Sequence, residues 1–557
     1  MSIHVVPRVT VSRARAEAIF PVLTDAQVAR IAGHGRLRPT RTGDVLVRTG
    51  DARVPFFVVV TGRLLIVRPS ADGDVRVVDH GHGEFTGETN LLSGRPSLVD
   101  VRVEEGGEVI ELARDHLLSL VQTEPGLSEI LMKAFILRRV ELIAQGLGDV
   151  VLVGSTHCAG TLRVKEFLTR NGHPHAYIDL DQSSDVQALL DRFNVSAADV
   201  PVVICRGTTV LRNPSNEAIA DCLGLNVAID QTLLRDLVII GAGPSGLAAG
   251  VYGASEGLNV LMVESSAPGG QAGSSSKIEN YLGFPTGISG AELTGRAYEQ
   301  TQKFAASLMI AREARRLSCD RKPYAVELTD GTKLAARTVI IATGARYRKL
   351  PVKDMTRFEG AGVYYGATPM EQQLCSGEDA IIVGGGNSAG QAAVFLADTC
   401  AHVHLLVRAD GLADSMSRYL IRRIEDNPKI TLRTRTEIEA VAGRDHLEEV
   451  TWRDQRQPAA ESRRIRHVFV MTGATPCSDW LGGCVAVDAS GFIKTGPDLA
   501  PEDLAQWPLA RAPHFLETSL PGVFAVGDVR SRNMKRVASA VGEGSSAVAF
   551  VHRVLQE

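Results

Sequence analysis

The apolar and polar positions divide the chain into stretches of different character. Residues 1–145 open with a helical stretch. Short β-type runs follow, TGDVLVRTGD, PFFVVVTGRLLIVRP and DVRVVDHG, separated by glycine turns. Residues 101–112 continue the strand pattern, and helical periodicity returns over about 115–145. Short strands followed by helices predict a β-roll or jelly-roll with C-terminal helices. Residues 149–224 read as βαβαββα. VVLVGS is a strand, CAGTLRVKEFLTRNG a helix, HAYIDLD a strand and SSDVQALLDRFN a helix; PVVIC and TTVLRNP are strands, and EAIADCLG closes the unit as a helix. From residue 234 onward the strands become continuous apolar runs such as DLVII, which predicts a parallel sheet buried on both faces.

Two of these strands run into glycine fingerprints. The first is DLVIIGAGPSGLAAG at 236–250. Gly241, Gly243 and Gly246 make a tight turn, allow close approach to a pyrophosphate and let the helix pack on the strand, and Pro244 and Ser245 open that helix. Phosphates sit well at such a helix N-terminus, where free amides and the dipole favour anions. The next strand, LNVLMVES, ends in Glu264, close to the roughly 20-residue interval expected for the acid that grips a ribose hydroxyl. The second fingerprint, DAIIVGGGNSAGQAA at 379–393, places Gly384, Gly386, Asn387, Ser388 and Ala389 in a G-x-G-x-x-A pattern. Its second strand, HVHLLVR, ends in Arg408 instead of an acid. An arginine there suits the 2′-phosphate of NADPH, and Arg418 is a further contact for it, with NADH the alternative. Two such units in one chain predict two nucleotide cofactors side by side.

Composition narrows the class without deciding the chemistry. A chain of 557 residues is too long for one core and predicts three or four domains. Hydrophobic residues at 44% and charged residues at 22% are ordinary for a soluble globular protein. The net charge of −4 gives no electrostatic case for nucleic acid or a membrane surface. The N-terminal stretch lacks the apolar core of a signal peptide, and no apolar run is long enough to span a bilayer, so the expected location is cytoplasmic. The 8 cysteines are scattered and form no C-x-x-C, which predicts neither a disulfide framework nor a zinc site and leaves most of them as core thiols.

The half from residue 234 to 557 resembles the low-molecular-weight thioredoxin reductases, FAD- and NADPH-dependent flavoproteins. Pro268-Gly269-Gly270-Gln271 matches the family's G-G-Q against the isoalloxazine, and Ile278-Glu279-Asn280-Tyr281 its flavin-facing E-N motif. TVIIATGA, with Ala342, Thr343 and Gly344, matches the crossover into the second domain. GVFAVGDVR carries Gly527 and Asp528, whose carboxylate in the family bonds the ribityl chain. KRVASAVGEG places Val537 at a helix start near the flavin pyrimidine end. The resemblance implies hydride transfer from NADPH to FAD, a nicotinamide domain inserted into the FAD domain and able to rotate, hinges near Ala342 and Met471, and a homodimer. One departure matters. Where the family reads Y-C-A-T-C, this chain reads Tyr365-Gly366-Ala367-Thr368-Pro369, so both redox cysteines are missing.

The two preceding stretches carry their own resemblances. Gly43, Asp44, Gly50, Asp51, VTGRL at 60–64 and Gly87-Glu88 resemble the cyclic-nucleotide-binding domain. That family holds the cyclic phosphate with an arginine, a position that falls here on Ser97. Asp100 nearby repels a phosphate and Arg95 stands two residues early, which points to a domain kept for packing or partner contact. Residues 149–224 resemble a thioredoxin or glutaredoxin fold. Pro201 fits that family's cis-proline, but Thr161 of His157-Cys158-Ala159-Gly160-Thr161 stands where the resolving cysteine belongs. The reading taken is an inherited fold, with Cys158 as a monothiol redox centre at a helix N-terminus the alternative.

The expected fold is therefore multidomain: an N-terminal β-roll with helices (1–145), an α/β thioredoxin-like domain (149–224), and two Rossmann-like α/β domains for FAD (234–348 with 475–557) and NAD(P)H (349–474). The expected function is an FAD-dependent oxidoreductase that passes hydride from NADPH to FAD and on to an acceptor, a small molecule or a redox protein. The alternatives are thioredoxin-disulfide reduction through Cys158 and an external thiol, and a redox- or nucleotide-responsive sensor.

Overall fold

The computed structural model describes residues 4–5, 13–52, 54–69, 74–144, 150–155, 158–180, 199–206, 209–226, 229–275, 278, 280–367, 369–413 and 415–557. The helix read at SSDVQALLDRFN, and His157, Glu279 and Thr368, lie outside them.

The N-terminal stretch forms a six-stranded antiparallel-rich sheet built on two long strands, Phe56–Arg68 and Asp100–Leu112, paired from Phe56↔Leu112 to Val67↔Asp100. Strand alternation sends successive side chains to opposite faces. Phe56 and Val58 therefore join Phe85 and Phe135 under the helices, while Phe57 and Val59 join Val101, Val103 and Val109 inside the roll. Helix α1 (Pro125–Ala144) closes the first of these cores.

The next unit is a four-stranded sheet in the order Thr209–Arg212, Val202–Cys205, Val150–Gly154, His175–Asp179; only the last pair is parallel. Helices α2 (Ala159–Arg170) and α3 (Asn216–Leu223) pack on it through Val164, Phe167, Leu168, Ile219 and Ala220. The Val200–Pro201 bond is cis, and Pro201 packs against Gly160 in the first turn of α2.

The third sheet has seven strands. Its parallel part contains β1 (Arg235–Ile240) between Lys333–Ile341 and β2 (Val260–Glu264), with Ser307–Ile310 outside β2 and Val523–Ala525 beside Lys333–Ile341. Both faces are covered, as the unbroken DLVII run predicts. Leu237 and Ile239 face helices α4 (Pro244–Ser255) and the C-terminal Val537–Gln556, while Val238 and Ile240 face the opposite core. Helix α5 (Gly290–Lys303) flanks α4. A fourth sheet of five parallel strands contains β3 (Asp379–Val383) beside β4 (His402–Val407), with α6 (Asn387–Ala397) between them in sequence. Ala345–Tyr347 and Ala474–Pro476, the two chain crossings between these sheets, pair antiparallel with each other.

The cysteine reading needs correction. Cys319 and Cys484 form a disulfide across 165 residues of sequence, with Cα atoms 5.9 Å apart. Cys375 and Cys400, both buried, bring their Sγ atoms to 3.4 Å as free thiols. Spacing could not reveal either pair, because each is made by strands and helices meeting in space.

The N-terminal unit is held to α5 and to the small α/β unit by polar contacts. Arg95, only 6% exposed, donates to the Tyr298 hydroxyl at 2.7 Å and lies over its ring. Gln122 donates to the Lys303 carbonyl at 2.8 Å. Arg139 donates to the Gly172 carbonyl at 2.8 Å and pairs with Glu88 at 3.4 Å. Beside them burial pushes Glu299 up to about 7, with Glu88 adding to the rise and Arg139 and Arg296 opposing it. A carboxyl that binds its proton more tightly when folded adds stability at low pH, and that stability is lost as pH rises from about 4.5 to about 7. The thermal midpoint of the native chain is therefore expected to fall relative to Glu299→Gln across that window and to run parallel to it above. Scanning calorimetry of the two proteins from pH 5 to 8 checks this; a constant difference across the range contradicts it.

Candidate functional site

The two fingerprint turns open into one cleft. Its volume is about 2370 Å³, well beyond the roughly 300–1,000 Å³ of a pocket for one small ligand. Gly241, Gly243, Pro244, Ser245, Glu264, Gly270, Gln271, Asn280, Ala342, Thr343, Gly344, Asp528 and Val537 line it from the seven-stranded unit. Gly384, Gly386, Asn387, Ser388 and Arg408 line it from the five-stranded unit. Four of the expected residues do not line it. Gly246 and Ala389 are buried where their helices pack on the turns, and the Gly527 amide donates to Glu543 Oε2 at 2.7 Å. Arg418 is exposed at the start of the helix Arg418–Glu425; its neighbours Ser415, Ser417 and Tyr419 line the cleft instead.

Both turns use the same construction. Gly241 has φ +103°, and a Cβ there would stand 2.3 Å from the Ala342 carbonyl oxygen. Gly384 has φ +146°, and a Cβ would stand 2.3 Å from the Met471 carbonyl oxygen. Only glycine permits that conformation and that backbone-on-backbone approach. Each turn then enters its helix, α4 or α6, through a glycine, Gly243 or Gly386, that offers no side chain to cap the first amides. Uncapped helix amides at a cleft wall are the donor set a phosphate takes. The residues present thus fit a dinucleotide at each turn.

Glu264 ends β2 with its carboxylate taking the amides of Ala242 at 2.8 Å and Ser266 at 2.9 Å. Burial raises its proton affinity above the usual carboxylate range, against the pull of those amides and of Arg170. The Gln271 amide donates to the Ala345 carbonyl at 3.0 Å, which fixes its side chain along the crossover. Asp528 is likewise raised by burial, with Lys535 opposing. The Thr343 hydroxyl donates to the Cys477 carbonyl at 2.7 Å, and the Cys477 amide to the Gly344 carbonyl at 3.0 Å, so the two crossings are bonded where they enter the cleft. The Cys477 thiol is half-buried there and pushed up by burial, against Arg346.

Gly366 and Ala367, in the segment without cysteines, also line the cleft. Next to them the Tyr365 hydroxyl donates to Glu359 at 2.9 Å, and Lys349 pairs with the same carboxylate at 2.8 Å. Sequence reasoning did not find this group, nor the contribution of the small α/β unit, whose Ala159, Leu162, Arg163, Glu166 and Arg170 form part of the cleft wall. No motif signals either: the first joins three residues of one segment, and the second is made by packing between units. In the N-terminal unit Asp100 is buried; it accepts the Thr49 amide at 2.7 Å and pairs with Arg102 at 2.7 Å. Among the described residues no group of three or more His, Cys, Asp or Glu could hold a metal ion, and no helix is long and apolar enough to cross a membrane.

The pattern of the pyridine nucleotide-disulphide oxidoreductases matches residues 235–544, and that of the cyclic nucleotide-binding domain matches residues 37–124. The chain is 32% identical over 316 residues to a thioredoxin reductase of Ureaplasma parvum, covering 57% of this chain and 95% of that one. It is 31% identical over 333 residues to a thioredoxin reductase of Bacillus subtilis, covering 59% and 97%. Among solved structures, Lactococcus lactis thioredoxin reductase superposes with a TM-score of 0.52 at 25% identity, covering 58% of this chain and 100% of that one.

The glycine construction separates the two turns experimentally. Backbone strain alone costs about 1–3 kcal/mol at such a position, and the carbonyl contact adds to it. Gly241→Ala is expected to abolish ligand retention at the first turn. Gly384→Ala is expected to leave that retention intact and to weaken nucleotide binding at the second turn by at least about tenfold. Equilibrium dialysis of each dinucleotide against the two variants checks the separation.

Proposed function

The chain belongs to the pyridine nucleotide-disulphide oxidoreductase family as a thioredoxin-reductase-like, NAD(P)H-dependent flavoprotein, and from that premise we propose that it passes reducing equivalents from NADPH through FAD to an acceptor other than a dithiol of its own nicotinamide domain. The observation that carries this reading is the single cleft shared by both fingerprint turns and by Gly366 and Ala367, the segment that lacks the cysteines.

When bound, the nicotinamide supplies a hydride and the flavin accepts it. The chain's own residues bind, orient and exclude water. The uncapped starts of α4 and α6 hold the two pyrophosphates, Glu264 the ribose of the FAD, and Asp528, Gln271, Asn280 and Val537 its flavin end. Arg408, exposed at the end of β4, supplies the charge that favours a 2′-phosphate and hence NADPH over NADH. The paired crossings at Ala345–Tyr347 and Ala474–Pro476 support a division into an FAD domain (234–348 with 475–557) and an inserted nicotinamide domain (349–474) that turns on them. The strand order of the small unit and the packing of Pro201 on Gly160 support a thioredoxin-like domain over 149–224, after an N-terminal domain over 1–145. Suitable acceptors are a ferredoxin-like protein, a quinone, oxygen or a free flavin.

A second reading has its own observation. Cys158 is the N-cap of α2, Ala159 and Leu162 line the cleft, and Ala159 lies against Gly360 of the nicotinamide domain. This placement favours Cys158 as a thiol that exchanges with an external disulfide.

Anaerobic reduction by NADPH is expected to bleach the flavin absorbance, and a competent acceptor added afterwards to restore it. Cys158→Ser is expected to leave recovery by a non-thiol acceptor unchanged; if NADPH-dependent disulfide reduction occurs and vanishes in this variant, the second reading replaces the first. Arg408→Ala is expected to raise KM for NADPH by about 10–100-fold, the worth of one charge-assisted contact, with KM for NADH nearly unchanged.

A further inference from the structure

One side chain outside the family match, which begins at residue 235, reaches Gly270, which lies against Gly243 of the first fingerprint. Arg170 closes α2, and its Nη2 donates to the Gly270 carbonyl at 2.8 Å. Its Nη1 lies 3.4 Å from Glu166 one turn earlier. Its Nε–H is buried with no partner among the described residues. The guanidinium lines the cleft and its charge acts on buried Glu264.

An arginine in the last turn of a helix is ordinarily explained by the helix dipole, with its head in water. Arg170 departs from that pattern because the small domain is fixed against the FAD domain on both sides of it. Asn226 exchanges two hydrogen bonds with Ile310, at 2.9 and 2.7 Å. Arg312 is held by Asp221 at 2.6 Å and Glu217 at 3.3 Å, and Phe167 and Leu168 share a core with Ile310 and Ala311. These contacts deliver the guanidinium to the turn between Glu264 and Gln271. Glu166 and the Gly270 carbonyl take one hydrogen each from Nη1 and Nη2, so each Nη keeps a second hydrogen to donate.

We propose that Arg170 is a residue of the FAD site supplied by the small α/β domain: it holds the Gly270 carbonyl and presents its remaining Nη donors and its charge to the anionic part of the dinucleotide bound at Gly241 and Glu264. The proposal rests on the flavoprotein reading above and goes beyond it, since it makes the fused domain part of the cofactor site. The relatives are covered almost to their full length by little more than half of this chain, and the family match leaves α2 outside.

The test uses the full chain, stripped of flavin and titrated with FAD by fluorescence quenching, with thermal midpoints measured for stripped and loaded forms. Arg170→Ala is expected to raise the FAD Kd by about 10–100-fold, the worth of a charge-assisted hydrogen bond. Arg170→Lys is expected to fall between, because it keeps the charge but not the fork. The rise in midpoint on adding FAD is expected to shrink in Arg170→Ala, since that rise measures binding to the folded form. If the alanine variant binds FAD within about twofold of wild type, or if its stripped and loaded midpoints drop equally, Arg170 only docks the domain and the proposal is overturned. If Arg170→Ala does not fold, the lysine variant decides alone: an unchanged Kd with an unchanged midpoint rise overturns the proposal. A wild-type chain that takes up no FAD sinks the flavoprotein reading itself and is told apart by that result.

Discussion

The contact on which the cofactor half depends is backbone against backbone. Gly241 lies on the Ala342 carbonyl and Gly384 on the Met471 carbonyl, each with 2.3 Å where a Cβ would be. Ala342 and Met471 are the residues at which the chain leaves one sheet for the other, so each nucleotide turn is tied to a crossing. Thr343, Gly344 and Cys477 then bond the two crossings to each other. The two turns are thereby tied to the crossings by main-chain contacts, which do not depend on side-chain rotamers. That suits a family in which the cofactors carry the chemistry and the protein supplies distance and orientation.

Around this frame several arginines join the additional units. Arg95 reaches Tyr298 on α5, Arg139 joins Glu88 to Gly172, Arg312 gathers Glu217 and Asp221, and Arg170 takes Gly270. The guanidinium is suited to such junctions because it stays charged when partly buried and its planar fork binds more than one acceptor. Arg95 is the informative case. In the cyclic-nucleotide-binding resemblance the phosphate arginine falls on Ser97, and the nearby arginine is committed to the flavoprotein half. The buried Asp100 is satisfied within the domain by Thr49 and Arg102. Arg95 and Asp100 are thus both engaged in packing contacts.

The sequence by itself determined what short-range pattern can encode. Unbroken apolar runs such as DLVII specify buried parallel strands, because a strand covered on both faces has no polar side to show. The fingerprint glycines and Glu264 were legible because a turn, a helix start and the next strand end lie within some two dozen residues of one another and obey one steric rule. The loss of the cysteines at Gly366 and Pro369 was also plain from sequence, since a missing reactive group needs no structure to be seen. Arg418 shows the limit: it opens its helix exposed and off the cleft wall, which Ser417 and Tyr419 line instead. Tertiary structure alone decided the Cys319–Cys484 bond, the approach of Cys375 to Cys400, the Tyr365–Glu359–Lys349 group and the arrival of Arg170 at Gly270. Each of these depends on how the chain packs in space, within a domain for the first three and between domains for Arg170, which no periodicity in a single chain segment records.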